Sequence, residues 1–330
     1  MIASYDTIKY MKPPYEITKN ILELYGKITQ LLGICESLML VKPEARLRRQ
    51  NRIRTIQSSL AIEGNTLNIE NITAIIDNKS IIGPKKEILE VQNAIKAYAS
   101  LNDLNPYNQK DFLTAHKFLM NDLLKAPGEY RTSSVGIMKG KNVTHIAPPA
   151  NKVSSLMNDL FDYLKIDDDL EIIKSCVFHY EIEFIHPFKD GNGRIGRFWQ
   201  TRILMNVNPI FEYVPIEKLI KENQKEYYNA LEIADNTGKS TVFIEFMLKM
   251  INQTLKETIN EASPKNPDFE KRTEIALQKL QGWFDRKKYM EICKGISSAT
   301  ASRDLKELQK KDKIESSGTG RMTKYRKRNG

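Results

Sequence analysis

The stretch that decides the reading is His186-Pro187-Phe188-Lys189-Asp190-Gly191-Asn192-Gly193-Arg194-Ile195-Gly196-Arg197. An apolar, helix-length run from Ile172 to Ile185 leads into it, and a second, Ile195 to Val207, leads out. A base, a carboxylate, glycines, an amide and two arginines thus fall in a short loop between two helices. Gly191 and Gly193 allow a tight turn that brings backbone N–H groups close to a ligand. The following helix offers its positive N-terminus to the same ligand, which makes an anion site. Arg194 and Arg197 are three apart, so they share a helix face and are expected to reach phosphate oxygens together. Asp190 beside phosphates implies a divalent cation between the like charges, and Mg²⁺ prefers one or two carboxylates plus phosphate oxygens. His186 is the only base in the loop that titrates near neutral pH, at about 6.5 when unperturbed. Base, metal, anion nest and arginines are together the parts needed for phosphoryl or nucleotidyl transfer.

The loop resembles the signature of the Fic (filamentation induced by cAMP) family, H-x-F-x-(D/E)-G-N-G-R-x-x-R, with every specified position filled. The resemblance implies a mainly α fold: a helical bundle with a β-hairpin flap. It also implies transfer of AMP from ATP to a hydroxyl side chain of a target protein, with Mg²⁺ as cofactor and ATP as co-substrate. By resemblance His186 is the base, Asp190 the metal ligand, and Gly191, Asn192 and Gly193 the cradle of the α- and β-phosphates. Arg194 and Arg197 bind the rest of the triphosphate, and Phe188 points into the core. Both arginines argue against the kinase-like variant of the family, whose signature lacks the last one. Transfer of another nucleotide or phosphate group is the alternative within enzymes.

Ser59-Leu60-Ala61-Ile62-Glu63-Gly64-Asn65 resembles the family's inhibitory pattern, (S/T)-x-x-x-E-(G/N), and it precedes the signature, as in the class whose inhibitory helix is N-terminal to the core. Alone, the stretch reads as a helix end with a glycine cap. Beside the signature it implies that Glu63, with Ser59, forms a bidentate pair with Arg197 and takes the place of the γ-phosphate. The same glutamate is positioned to direct a water that removes AMP from a modified target, a reverse activity of the family.

Length and composition bound the rest. A chain of 330 residues, 41% apolar, holds about two domains, with three at the upper end. Cys35, Cys176 and Cys293 are sparse and in no metal-like spacing, which suits a reducing cytosol. The first residues lack a signal pattern and no apolar run reaches about 18 residues, so a cytoplasmic protein without a membrane partner is expected. The net charge is +10. Residues 268–330 carry 17 Lys+Arg against 9 Asp+Glu, a surplus of 8, which leaves only +2 for residues 1–267. Nucleic acid is therefore sought at the tail.

The chain divides into an N-terminal helical region with the inhibitory helix (1–82), a Fic core (83–260), a polar, proline-marked linker (261–267) and a tail domain (268–330). Helical spacing predicts helices over 15–32 (ending at Gly33), 43–62 (arginines outward, a left-handed Gly64-Asn65 cap), 68–76, 85–101 and 109–124. Further helices are expected over 151–164, 170–185, 195–207, 217–235 and 241–259. Two β-leaning runs, 131–138 and 143–147, read as a hairpin. Its reading as a flap for an incoming target segment follows the family resemblance and the physics of strand addition. His116 and His179 lie among apolar residues and read as hydrogen-bonded structural histidines, and His145 as an exposed strand residue. Tyr227 and Tyr228 read as core-facing.

In the tail, helices over 269–283, 287–294 and 297–312 precede two short strands, which resembles a winged helix-turn-helix. Ser298, Thr300, Ser302, Arg303 and Lys306 would face the DNA major groove, and Arg321 and Lys324 on the wing would meet phosphates. Duplex DNA is thus a candidate partner, with protein contact or self-association as the other use of such a fold. The competing function is a DNA-binding transcriptional regulator whose Fic core serves as a sensor.

Overall fold

A computed structural model describes residues 10–37, 43–134, 136–139, 142–262, 269–293 and 295–328; side chains of 136–139 and 142–146 and of Lys271 and Arg321 fall outside the description. The chain divides into two compact units, Met1–Ala262 and Ser263–Gly330. Among the described residues the helices of the first unit are α1 (Lys19–Ser37), α2 (Ala45–Ile62), α3 (Ile69–Ile76), α4 (Lys85–Ala99), α5 (Gln109–Met120), α6 (Ala150–Ile166), α7 (Glu171–Ile185), α8 (Asn192–Val207), α9 (Ile216–Glu222), α10 (Gln224–Thr237) and α11 (Thr241–Ala262). A hairpin of β1 (Gly136–Lys139) and β2 (Asn142–Ile146) lies between α5 and α6.

α7 and α8 form the centre. Both are buried around most of their circumference, as a helix enclosed by others is, although α8 carries Asn192, Arg194, Arg197, Gln200 and Thr201 among its buried residues. They pack on each other across Gly196, where an added Cβ would lie 3.0 Å from His179 Cδ2. Phe112 on α5 sits edge-on to Phe178 on α7 and Trp199 on α8, with ring centroids 5.8 and 5.2 Å apart. α1 packs on α11, α2 on α9, and α4 on α5, which closes the bundle. No helix among the described residues is long and apolar enough to cross a membrane.

The departures from expectation have local causes. α1 starts at Lys19, because Thr18 Oγ1 accepts from Ile21 N at 3.1 Å and so caps it. It then runs through Gly33, since Ile28, Leu32 and Cys35 continue one buried stripe. The helix expected over 217–235 is two, broken at Asn223. At the end of α2 only Gly64 is left-handed (φ +91); Asn65 instead donates to Glu87 O and Glu90 Oε2. Of the arginines on α2, Arg52 pairs with Glu212 and Arg54 with Glu261, so they brace the helix against the bundle rather than facing solvent. β1 begins only at Gly136, and its register with β2 shifts between Ile137 and Met138. Val135, Gly140 and Lys141 of the hairpin, and 263–267 of the linker, lie outside the described residues, while Glu261 and Ala262 belong to α11.

The tail unit contains α12 (Phe269–Lys279), α13 (Arg286–Ile292), α14 (Ser298–Lys310), β3 (Ile314–Ser317) and β4 (Lys324–Lys327), with β3 and β4 antiparallel. α12 stops before Trp283, because Phe284 leaves the helix to bridge Tyr325 through paired backbone bonds of 2.8 and 2.7 Å. The unit has its own core of Ala276, Leu280, Phe284, Tyr289, Ala301, Leu305, Leu308 and Ile314. Inside it Arg272 meets Asp304 through Nε at 2.7 Å and Nη2 at 2.8 Å, and Tyr289 donates to the same carboxylate at 3.1 Å. Removing the carboxylate takes away both hydrogen bonds from Arg272 and the one from Tyr289, and breaking such a buried pair costs about 3–5 kcal/mol. Asp304→Ala should therefore unfold the tail at lower temperature while the first unit keeps its transition. Calorimetry of the full chain, read as two transitions, checks this.

Candidate active site

The loop between α7 and α8 is built to be rigid. α7 ends at His186 in the left-handed conformation (φ +50, ψ +59), which turns the chain sharply away from the helix axis. Phe188 is fully buried, and its ring stacks on His116 at 3.6 Å between centroids. His116 Nε2 lies 3.0 Å from Asp190 O, and its Nδ1 accepts from Gly128 N at 2.9 Å, so Nε2 is the protonated nitrogen. Burial lowers the pKa of His116 to about 4, which keeps this ring neutral. Asn192 spends its side chain inside the loop: Oδ1 accepts from Phe188 N at 2.9 Å and Nδ2 donates to Phe188 O at 3.0 Å.

Gly191 is left-handed (φ +86), and an added Cβ would lie 2.7 Å from Met120 Sδ. α8 then starts with no side-chain cap, and the first backbone N–H groups of any helix lack an intrahelical acceptor. The N–H groups of Asn192, Gly193 and Arg194 are thus able to serve as an anion cradle. Asp190 stands at its lip with about half of its side chain exposed. Its Oδ1 accepts from Gly191 N at 2.6 Å and from Arg194 Nη2 at 2.9 Å, and Oδ2 accepts no hydrogen bond within the described residues. One carboxylate with an outward oxygen beside an anion cradle fits Mg²⁺, which completes its octahedron with water and phosphate oxygens.

The two arginines have different partners in the structure. Arg194 is drawn to Asp190 and to Glu90, at 2.9 and 3.3 Å. The i,i+4 spacing from Asp190 decides this over the expected shared reach with Arg197. Arg197 faces α2. Its Nε donates to Ser59 Oγ at 3.1 Å, and Nη2 to Ser59 O at 3.0 Å and to Glu63 Oε1 at 2.8 Å. Its side chain is 1% exposed and that of Glu63 32%. Burial alone would lower the Arg197 pKa, but Glu63, Tyr227 and Glu183 overcome it and hold the guanidinium firmly protonated. Glu63, Arg197 and Glu183 converge on Gly193, where an added Cβ would lie 2.4 Å from Glu63 Oε1.

Two polar residues behind this centre, Glu183 and Glu217, escaped the sequence reading. Glu183 on α7 accepts from the Tyr227 hydroxyl at 3.0 Å. Burial would raise its pKa, but His179, Arg197 and His186 outweigh that and lower it to about 2, so it is an anion at working pH. His179 in turn lies 2.8 Å from Gln200 Oε1 and 3.1 Å from the Tyr227 hydroxyl. Tyr227 is buried while Tyr228 is 39% exposed, so only the first is core-facing. Glu217 on α9 is 1% exposed, accepts from the Tyr98 hydroxyl at 3.1 Å, and leaves Oε2 without a hydrogen-bond partner. Nothing in the spacing of these residues separates them from ordinary polar positions; only the three-dimensional meeting does.

A helical bundle whose central loop presents a base, a carboxylate and a row of helix N-terminal N–H groups is the arrangement of a Fic fold. The chain belongs to the Fic family. The family model described as Fic/DOC matches residues 106–204. The chain is similar to the crystal structure of a Fic family protein from Desulfovibrio desulfuricans G20, with 37% identity, a TM-score of 0.74, and coverage of 97% of this chain and 99% of that one. It is also similar to the protein adenylyltransferase Fic of Aedes aegypti, 27% identical over 72% of this chain and 47% of that protein. The corresponding protein of Nematostella vectensis is 29% identical over 64% of this chain and 50% of its own length. The chain thus spans about half the length of these curated relatives.

Glu217 generates a prediction. Burial, its leading cause, raises its pKa from 4.5 to about 7. A raised folded-state pKa gives stability that is complete below the unfolded value and lost as pH climbs through the folded one. Glu217→Gln should therefore leave the melting temperature near pH 4 unchanged and raise it at pH 8, by up to about 3 kcal/mol of stability. Thermal melts of the two proteins across pH 4–8 check the sign.

Proposed function

We propose that this chain is a protein adenylyltransferase that moves AMP from ATP to a hydroxyl side chain of a target protein, and that Glu63 holds it inhibited. The observation that carries the reading is the ion pair of Glu63 with the buried Arg197, set against the cradle at Gly193. The curated relatives, named as protein adenylyltransferases, support the same reaction.

The geometry supports the following roles. His186 Nδ1 lies 3.4 Å from Glu183 O, which selects the tautomer with the proton on Nδ1 and makes Nε2 the basic nitrogen. Nε2 takes the proton of the target hydroxyl as its oxygen bonds to the α-phosphorus. The bond from that phosphorus to the bridging oxygen breaks, and pyrophosphate leaves. The N–H groups of Asn192, Gly193 and Arg194 receive the α- and β-phosphate oxygens. Asp190, braced by Arg194, would hold Mg²⁺, which would neutralise phosphate charge. Arg197 receives the γ-phosphate once Glu63 withdraws. The target segment pairs along the hairpin of 131–147 by main-chain hydrogen bonds. Glu63 also suits the reverse role, directing a water at an AMP-modified hydroxyl. A cytoplasmic setting agrees with the three free, buried cysteines.

For the tail unit we propose a winged helix-turn-helix that binds duplex DNA. Ser298, Ser302, Arg303, Lys306 and Lys324 are exposed, Thr300 is half-buried, and the side chain of Arg321 lies outside the described residues. A groove of about 560 Å³ runs between α13, α14 and the β3–β4 hairpin, lined by Arg286, Lys287, Ser298 and Ser302 but also by Asp285 and Glu291. The full chain should bind duplex DNA with a steep salt dependence, because phosphate contacts release counterions. Replacing both Arg303 and Lys306 by Ala should reduce the slope by about two. An unchanged slope hands the groove to protein contacts.

The adenylyl-transfer reading is tested with ATP labelled at the α-phosphate. Glu63→Gly should raise labelling of self or target by one to two orders of magnitude, which needs only about 1.4–2.8 kcal/mol off the barrier. Arg197→Ala should show no such gain, and the double change should match Arg197→Ala. His186→Ala in the Glu63→Gly background should lose about 10²–10⁴-fold. Absence of α-label transfer by Glu63→Gly, with ATP bound, would sink the reading.

A further inference from the structure

Arg131 precedes the hairpin and is 5% exposed. Among the described residues no carboxylate pairs with it. Its partners are carbonyl oxygens. Nε donates to His186 O at 2.7 Å, and Nη2 to Ile185 O at 3.2 Å and to Pro148 O at 2.5 Å. Nη1 donates to Ser133 O at 3.0 Å, and the backbone N–H of Arg131 donates to Pro187 O at 2.9 Å. Burial lowers its pKa, yet an arginine keeps its charge under such conditions.

These carbonyls are not a random set. Ile185 is the last residue of α7 and His186 its C-cap, where helix carbonyls lack intrahelical donors and the dipole is negative. A cation there caps the helix. It also grips His186 on the carbonyl that follows its left-handed φ, a conformation that costs an L-residue about 1–2 kcal/mol without support. Ser133 and Pro148 flank β1 and β2, on the two roots of the hairpin. One planar, five-donor group thus ties the backbone of the base to both ends of the flap.

The geometry points to Arg131 as a positioning residue: it locks His186 and both hairpin roots into one frame, so that a target segment laid on the hairpin meets the base in fixed register. The inference rests on the adenylyl-transfer reading above. Lysine cannot replace arginine here, because one ammonium at the end of a flexible stem does not span four divergent carbonyls. ATP meets the cradle on α8 and Arg197, none of which Arg131 touches. Loss of Arg131 should therefore separate transfer from nucleotide binding.

The experiment uses the full chain with Glu63→Gly as parent. Arg131→Lys and Arg131→Gln are added to it singly. Labelling from α-labelled ATP gives kcat, the ATP dependence gives KM, and circular dichroism melts report folding. If the parent transfers no label, the functional reading fails and Arg131 is not at issue. With an active parent, both variants should lose roughly 10- to 100-fold in kcat, the cost of an ångström-scale misplacement, while KM for ATP stays within about two-fold. The imidazole signals of His186 should shift in NMR spectra of the chain, which holds only four histidines. Unchanged kcat overturns the proposal. So does a fall in activity that matches the loss of folded protein or of ATP binding, and so does failure of both variants to fold, since each makes Arg131 a residue of the fold alone.

Discussion

A guanidinium taken almost wholly out of water must be answered by acceptors, and Arg197 sets this demand at the centre of the bundle. The answer comes from α2, through the hydroxyl and carbonyl of Ser59 and the carboxylate of Glu63. Glu183 stands behind as a permanent anion. Much of the surrounding architecture keeps these groups in register. Asn51 on α2 donates to Tyr213 O, and Arg52 and Arg54 reach Glu212 and Glu261, so α2 is fastened to the bundle along its length. Its C-terminal end is held as well, by Gln224 donating to Ile62 O and by Asn65 donating to Glu87 O and Glu90 Oε2.

The loop shows the complementary arrangement. It is held from within the protein, by the ring of His116 on Phe188, the amide of Asn192 on Phe188, and the guanidinium of Arg131 on the end of α7. Rigidity here has a chemical purpose. Donors already aimed at developing charge need no reorganisation during the reaction. The glycines keep the space over the cradle open, and that space lies within reach of the Glu63 carboxylate.

Contiguous features were legible in the sequence. The loop of 186–197 is one short segment whose residue types make sense only together, and the helices around it carry their period openly. The hairpin was legible as an interruption of that period. What stayed hidden depends on residues far apart in the chain. Arg131 binds carbonyl oxygens, which every residue has, so nothing marks its partners. Arg194 and Arg197 look alike in spacing, yet Asp190 and Glu90 claim the first, and Ser59 and Glu63 the second. The run through Gly33 follows the same rule, because a buried stripe against α11 outweighs the roughly 1 kcal/mol that a glycine costs a helix.

Glu63 and Arg197 belong to one covalent chain, 134 residues apart. Their meeting is therefore unimolecular. The carboxylate is present at the guanidinium at an effective concentration fixed by the fold, not by the amount of protein. Dilution leaves that contact in place, and so does crowding. On the proposed reading, ATP competes with a tethered rival whose local concentration is constant. On that reading, the threshold at which nucleotide displaces it is written into the fold of the single chain.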